Sequence, residues 1–511
     1  MIRFTLLWFF VLAVCVYAWK DWYKALCGLI LLMAVIEHPD MPKTLLGIQG
    51  LNPWNMALAN VGAAWAVSRQ REGLTWDMPR PVNRFLVLYF GIILVAFLRL
   101  LFDRSGLRDE TTGSLISEYF INCFKWPIPG LLLFSGCRSR SRFVWGLTAV
   151  LALYGVLGLQ VIRWVPMSMA MSSGERFENH AQKVLENEVG YHRVNLSMML
   201  AGASWGIFAV RALAKKRFHS ALLLLASGMV VYAQALTAGR MGYVTWAVVG
   251  FILCLVRWRK YLLFAPVVAL VIAFALPGVV ERLLQGFSEE TQDTNSRLDT
   301  GGASEGGPDM YTVTAGRTFA WQFVIPKITE APLLGFGRLA MQRTGITASL
   351  WEQYQENFPH PHNAYLELLL DNGLVGFLVI IPFYLLVLRQ GFTLFRDSRS
   401  PVFVAIGGVS CAVVLSFLTS SFASQTFYPR EGSVGMWCTI GLLLRVAVER
   451  SRVLAAGATA VTAKPSEATQ PVVNRFHQHL PQARTVKTAK KQEKASTAVK
   501  PLDELLWRRA A

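Results

Sequence analysis

The chain has 511 residues, 53% of them hydrophobic and only 16% charged, with a mean hydropathy of +0.39. Those values exclude an ordinary soluble multidomain protein and fit a polytopic membrane protein, whose apolar stretches of about 18 or more residues cross the bilayer as helices. The formal net charge of +18 then bears on orientation, because loop lysines and arginines report which side each loop faces.

Apolar runs lie near 4–19, 22–37, 51–67, 84–102, 119–136, 142–162, 193–213, 218–238, 241–256, 259–278, 363–388, 402–420 and 431–448. Many are bounded by Trp, Tyr, Lys or Arg, as helices crossing two interfaces should be. The pattern predicts an all-α fold of 12–13 transmembrane helices over 1–448. The first run, FTLLWFFVLAVCVYA after a basic MIR, ends at a plausible cleavage point but is read as an uncleaved span.

Basic clusters follow odd-numbered spans only: SRQREG with PRPVNR, CRSRSR, RALAKKRFH, RWRK, RQGFTLFRDSRS and the C-terminal tail. By the positive-inside rule they face the cytoplasm. Segments 103–118, 163–192, 239–240, 279–362 and 421–430 then lie outside. Segment 279–362 is the one external loop large enough to hold structure. Its middle, SEETQDTNSRLDTGGASEGGPDM, is polar and glycine-rich and reads as mobile. The basic tail 449–511 reads as disordered and cytoplasmic. The seven cysteines sit in or beside apolar runs, without disulfide or metal-ligand spacing, and read as small apolar residues.

Three external features carry chemistry. In TAGRMGY, 237–243, Arg240 stands at a helix start among glycines, a combination suited to phosphate oxygens. An interfacial arginine snorkelling to headgroups is the plainer alternative. In AGRTFAW, 315–321, Arg317 opens an apolar, aromatic stretch, and Arg338 in LLGFGRLAMQ is a third loop cation. Third comes HPHNAYLELLLDNGLVGF, 360–377, where Asn363 is a candidate N-cap and Glu367 an acid in the first turn. A helix N-terminus disfavours the cationic imidazole, so His362 is expected to stay neutral near pH 7 and able to accept a proton. His360 and His362 lack a third ligand nearby, and Glu186 with Glu188 are oddly spaced for one helix face, so no metal site is expected. Two cations and a neutral base at the membrane edge suit a lipid diphosphate substrate. The arginines would neutralise charge growing on the leaving group.

TAGRMGY, then AGRTFAW with PLLGFG, then HPHNAYLELLLDNGLVG, together resemble the bacterial O-antigen ligase and polymerase superfamily over roughly 220–390. Its first motif often reads Ser-Arg-Gly; here Gly239 precedes Arg240 and Met241 follows. The resemblance implies a GT-C-like polytopic fold with one large periplasmic loop in the bacterial inner membrane. It implies metal-independent, inverting transfer of a glycan from undecaprenyl diphosphate to an acceptor hydroxyl, with no cofactor. Arg240 and Arg317 would bind the diphosphate, His362 would activate the acceptor, and His360 would support it. Asn363 and Arg338 extend the expected substrate-binding set, and Arg193, in YHRVNLS, joins it from topology. The expected partners are the lipid-linked glycan, an acceptor lipid, glycan or protein, and the membrane, with no nucleic acid. A ligase is favoured over a polymerase or a protein O-oligosaccharyltransferase. A flippase would place its charges along a mid-bilayer cavity, whereas here the strongest charges sit at span ends. A scaffold acting through its tail leaves the external cluster unexplained.

Overall fold

The computed structural model describes residues 2–45, 48–107, 110–284, 314, 316–423 and 426–462. The polar middle of the large loop and the tail beyond 462 lie outside the described residues. The protein is an all-α polytopic membrane protein. Among the described residues its one sheet is a pair of two-residue antiparallel strands, Thr44–Leu45 and Ile48–Gln49.

Seven described helices are long and apolar enough to cross a membrane: Arg80–Phe102, Arg140–Trp164, Arg193–Leu213, Arg217–Leu236, Ala364–Arg396, Pro401–Ser420 and Glu431–Ala455. Phe4–Ala18, Trp22–Leu32 and Arg240–Val256 are apolar but shorter. The other three apolar runs differ from the expectation. Helix Pro53–Arg71 carries Asn55 and Asn60, and the Asn60 amide donates to Cys15 O at 2.7 Å, fastening it to the first helix. The 119–136 run breaks at Pro127, and the 259–278 run is a 3₁₀ turn, a helix Ala265–Ala275 and a separate helix from Pro277. Proline lacks the N–H that a continuing helix needs.

Where helices cross tightly, small residues make the contact, as expected in lipid, where close backbone approach replaces the hydrophobic drive. Gly130 and Gly441 meet backbone to backbone, leaving no room for a Cβ on either. Six of the seven cysteines are buried and all are free thiols. The last helix continues through Thr462, so 449–462, expected as the start of a disordered tail, is helical.

The loops grouped by their basic residues meet at one end of the bundle. Arg445, fully buried, binds Asp77, which also takes Arg138 at 3.0 Å and Arg452. Arg142 pairs with Glu72 at 2.5 Å, Arg450 with Asp397 at 2.8 Å, and Arg257 donates to Phe395 O at 3.0 Å. The candidate site occupies the opposite end.

One break in a span shapes that end. Within Ala364–Arg396, Gly373 has φ 60° and ψ −163°, which interrupts the helix. The segment PLLGFG, 332–337, packs into the interruption and takes up the freed backbone groups. Leu374 N donates to Pro332 O (2.8 Å) and Val375 N to Leu333 O (3.1 Å). In return Phe336 N donates to Leu370 O (2.8 Å) and Gly337 N to Asp371 O (2.6 Å). Arg99, from the Arg80–Phe102 helix, clamps the same segment through Leu334 O at 2.6 Å and Gly335 O at 2.7 Å. A broken span needs such partners, because unpaired peptide groups are costly in lipid.

Candidate functional site

The site begins with arginines. Arg193 stands at the start of its helix and is 9% exposed; its Nη1 donates to Ala238 O at 2.9 Å. Ala238 holds φ 55°, a strained conformation for a residue with a side chain, and turns the chain sharply before Gly239 and Arg240. Arg240 thus opens the Arg240–Val256 helix beside Arg193, within the fields of Arg193 and Glu178. Arg282, from helix Pro277–Leu284, joins from the start of the large loop. Glu178, on helix Gly174–Glu188, bridges Arg193 and Arg282. Neither Glu178 nor Arg282 stands out in sequence; both occupy segments without a motif.

Arg317 opens the helix Arg317–Glu330 after Gly316, whose φ of 74° sets its direction. Burial, and then the charges of Arg240 and Arg193, push its guanidinium down to about 10. The repulsion among these guanidiniums is felt because their helix starts lie within electrostatic reach of one another. An anion placed there would relieve it.

The histidine turn is tied to this helix. Trp321 Nε1 donates to Pro361 O at 2.9 Å. Gln342 and Thr347 hold Pro359 O (3.4 Å) and Phe358 O (2.9 Å). His362 has φ 51°, a second strained non-glycine residue at the site, and its ring packs on that of His360 at 4.1 Å between centroids, tilted by 54°. His360 Nδ1 accepts the His362 backbone N–H at 3.2 Å, which leaves the proton of neutral His360 on Nε2. The His362 ring makes no hydrogen bond to the described residues. Burial, then His360, Arg317 and His192, push its imidazole down to about 3, so it is neutral at pH 7. His360 is also lowered, chiefly by burial.

Two expected substrate contacts have other work. Asn363 Oδ1 accepts Tyr365 N at 3.0 Å and Leu366 N at 3.3 Å, an N-cap in which its acceptor is fully used. Arg338, 3% exposed, points inward. It pairs with Glu367 at 2.7 Å and Asp371 at 3.2 Å beneath the Tyr428 ring. The next residue, Leu339, has φ 60°. Arg338 thus stands behind the histidine turn, whereas Arg193, Arg240, Arg317, His360 and His362 form the connected set.

Fold and site together define a multi-pass membrane protein with a cluster of arginines near a neutral imidazole at one end of its bundle. Residues 221–381 match the family model described as O-antigen ligase, so the resemblance carried by the three motifs holds. The chain is also similar to proteins named "Putative polysaccharide ligase". One, from Rickettsia felis, is 24% identical over 202 residues, 38% of this chain and 44% of that protein. Another, from Rickettsia conorii, is 23% identical over the same shares. The chain thus spans less than half the length of these curated relatives.

Proposed function

We propose that the protein transfers a glycan from undecaprenyl diphosphate to an acceptor hydroxyl, in the manner of an O-antigen ligase. The site would lie on the periplasmic side of the bacterial inner membrane. The family match and the polysaccharide-ligase relatives support the ligase-like part. The observation that carries the chemistry is geometric: Arg193 holds the Ala238 carbonyl just before Gly239 and Arg240, and the helix that Arg317 opens holds, through Trp321, the carbonyl just before His362.

The donor diphosphate joins two ester groups and carries two negative charges; on leaving it gains another. Arg193, Arg240 and Arg317 surround that growing charge with guanidinium forks, a task a divalent metal could otherwise serve. His362 accepts the acceptor's hydroxyl proton as the acceptor oxygen attacks the anomeric carbon from the face opposite the diphosphate. The new C–O bond forms as the sugar–phosphate C–O bond breaks, and the configuration inverts. An imidazole held at about 3 is a weak base. A bound diphosphate neutralises Arg317 and raises the imidazole toward its working range, so His362 gains basicity only when the donor is seated. His360 fixes the turn through its Nδ1.

The reading is tested by His362→Ala and Arg317→Ala in membranes that make the lipid-linked glycan. Both should accumulate donor and lose product at undiminished protein level. Unchanged product in His362→Ala removes the assigned base.

A further inference from the structure

The arginine cluster contains a carboxylate that the transfer chemistry does not use. Oε1 of Glu178 takes Nη2 of both Arg193 and Arg282. One guanidinium is held by a backbone contact, and the backbone of the other is packed tightly. Arg193 Nη1 is committed to Ala238 O at 2.9 Å, and the Arg282 backbone packs on Gly174, where a Cβ would lie 3.1 Å from Arg282 N. Arg193 Nε is buried and makes no hydrogen bond among the described residues, a donor left without an acceptor. Glu178 is different. Its side chain is 19% exposed, against 11% for that of Arg193 and 5% for that of Arg282, on an amphipathic helix that buries Phe177, Ala181 and Leu185 in the core. Of the three partners, Glu178 has the most exposed side chain.

Carboxylate and phosphate oxygens compete for the same guanidinium forks. Buried guanidiniums left without an anion are strongly disfavoured, so the donor-free cluster needs one. After transfer the lipid diphosphate bears more charge than the donor did, and four arginines hold it more tightly. Something must then favour its departure. We propose that Glu178 is an exchangeable stand-in for phosphate: it occupies Arg193 and Arg282 in the empty enzyme, yields to the donor diphosphate, and returns to displace the product. This inference rests on the transferase reading and adds product release to it.

Inorganic diphosphate is the probe, titrated by calorimetry into the purified full-length protein in detergent and followed by donor turnover. Glu178→Gln should bind diphosphate about tenfold more tightly, the scale of losing one charged competitor. It should complete a first turnover at the normal rate and then slow several-fold, giving a burst. Glu178→Asp keeps the charge on a shorter stem and should shift binding the same way by less, so it decides the matter if the Gln variant does not fold. Unchanged or weaker diphosphate binding in whichever variants fold makes Glu178 a mere brace and overturns the proposal. If the wild type binds no diphosphate and transfers no glycan from the lipid-linked donor, the transferase reading fails, and this inference with it.

Discussion

The guanidinium of Arg338 lies over the Tyr428 ring, 3.6 Å from its centroid, while the Tyr428 hydroxyl donates to Asp371 at 3.0 Å. Asn372 donates to the same hydroxyl at 2.6 Å, and Asp371 Oδ1 accepts Ala340 N at 3.0 Å. One buried cation therefore joins the large loop, the broken span and the 421–430 loop. Arg338→Ala would strand Glu367 and Asp371 without their counter-charge. Removing one partner of a buried pair costs about 3–5 kcal/mol, so the purified protein should unfold at a markedly lower temperature. Arg338→Lys keeps the charge but not the planar fork and should recover only part. Normal stability with weakened diphosphate binding would instead return Arg338 to the donor site.

Gly373 should tolerate no side chain. Its φ of 60° is unfavourable for an L residue, and a Cβ would run into the Leu333 backbone. Strain of this kind costs about 1–3 kcal/mol before the steric clash is added. Gly373→Ala should therefore loosen the 332–337 segment, and limited proteolysis of the large loop should quicken. Equal protease resistance would show that the helix break does not depend on glycine.

The two histidines make the site face sensitive to acid. His362 binds its proton only near pH 3 in the folded protein, against 6.5 for an ordinary imidazole. Between those values the unfolded chain holds the proton and the folded chain does not, so stability rises with pH across that window. The contribution is complete above about 6.5 and is lost as pH falls toward 3, and His360 adds to it in the same direction. Thermal unfolding measured from pH 7 to pH 4 should fall less steeply in His362→Gln than in the wild type. In catalysis, the acid limb of kcat, which reports the donor-bound enzyme, should lie at higher pH than that of kcat/KM. Identical limbs would mean that the donor does not change the basicity of the imidazole.

The motif arginines and the histidine turn were legible in the sequence because each stands at a helix start beside glycine or proline. Orientation was less legible. Arg338 has the same local setting as Arg317, yet one faces carboxylates that lie 29 and 33 positions downstream and the other faces cations from other helices. Composition places both at the membrane edge and cannot choose a partner. Glu178 and Arg282 escaped notice for the same reason, since their pairing joins two loops more than a hundred positions apart. Breaks inside apolar runs were less legible, at the prolines. Hydropathy records the grease and not the missing N–H of Pro127 or Pro277.

The register between the donor side and the base depends on one indole. Trp321 sits a turn beyond Arg317 on the same helix, and its Nε1 donates to Pro361 O, the carbonyl just before His362. Trp321→Phe removes the donor while keeping most of the ring. A single net hydrogen bond is worth about 0.5–1.5 kcal/mol, too little to unfold the protein but enough to let the histidine turn drift from Arg317. Transfer should fall by roughly two- to tenfold through kcat, because small misplacements of reacting groups act on rate before binding. The unfolding temperature and the affinity for diphosphate, which depend on the arginines, should stay near those of the wild type. Should the loss appear in diphosphate affinity instead, Trp321 steadies the Arg317 helix and not the base, and the division between the two halves of the site moves to lie between Arg317 and Arg240.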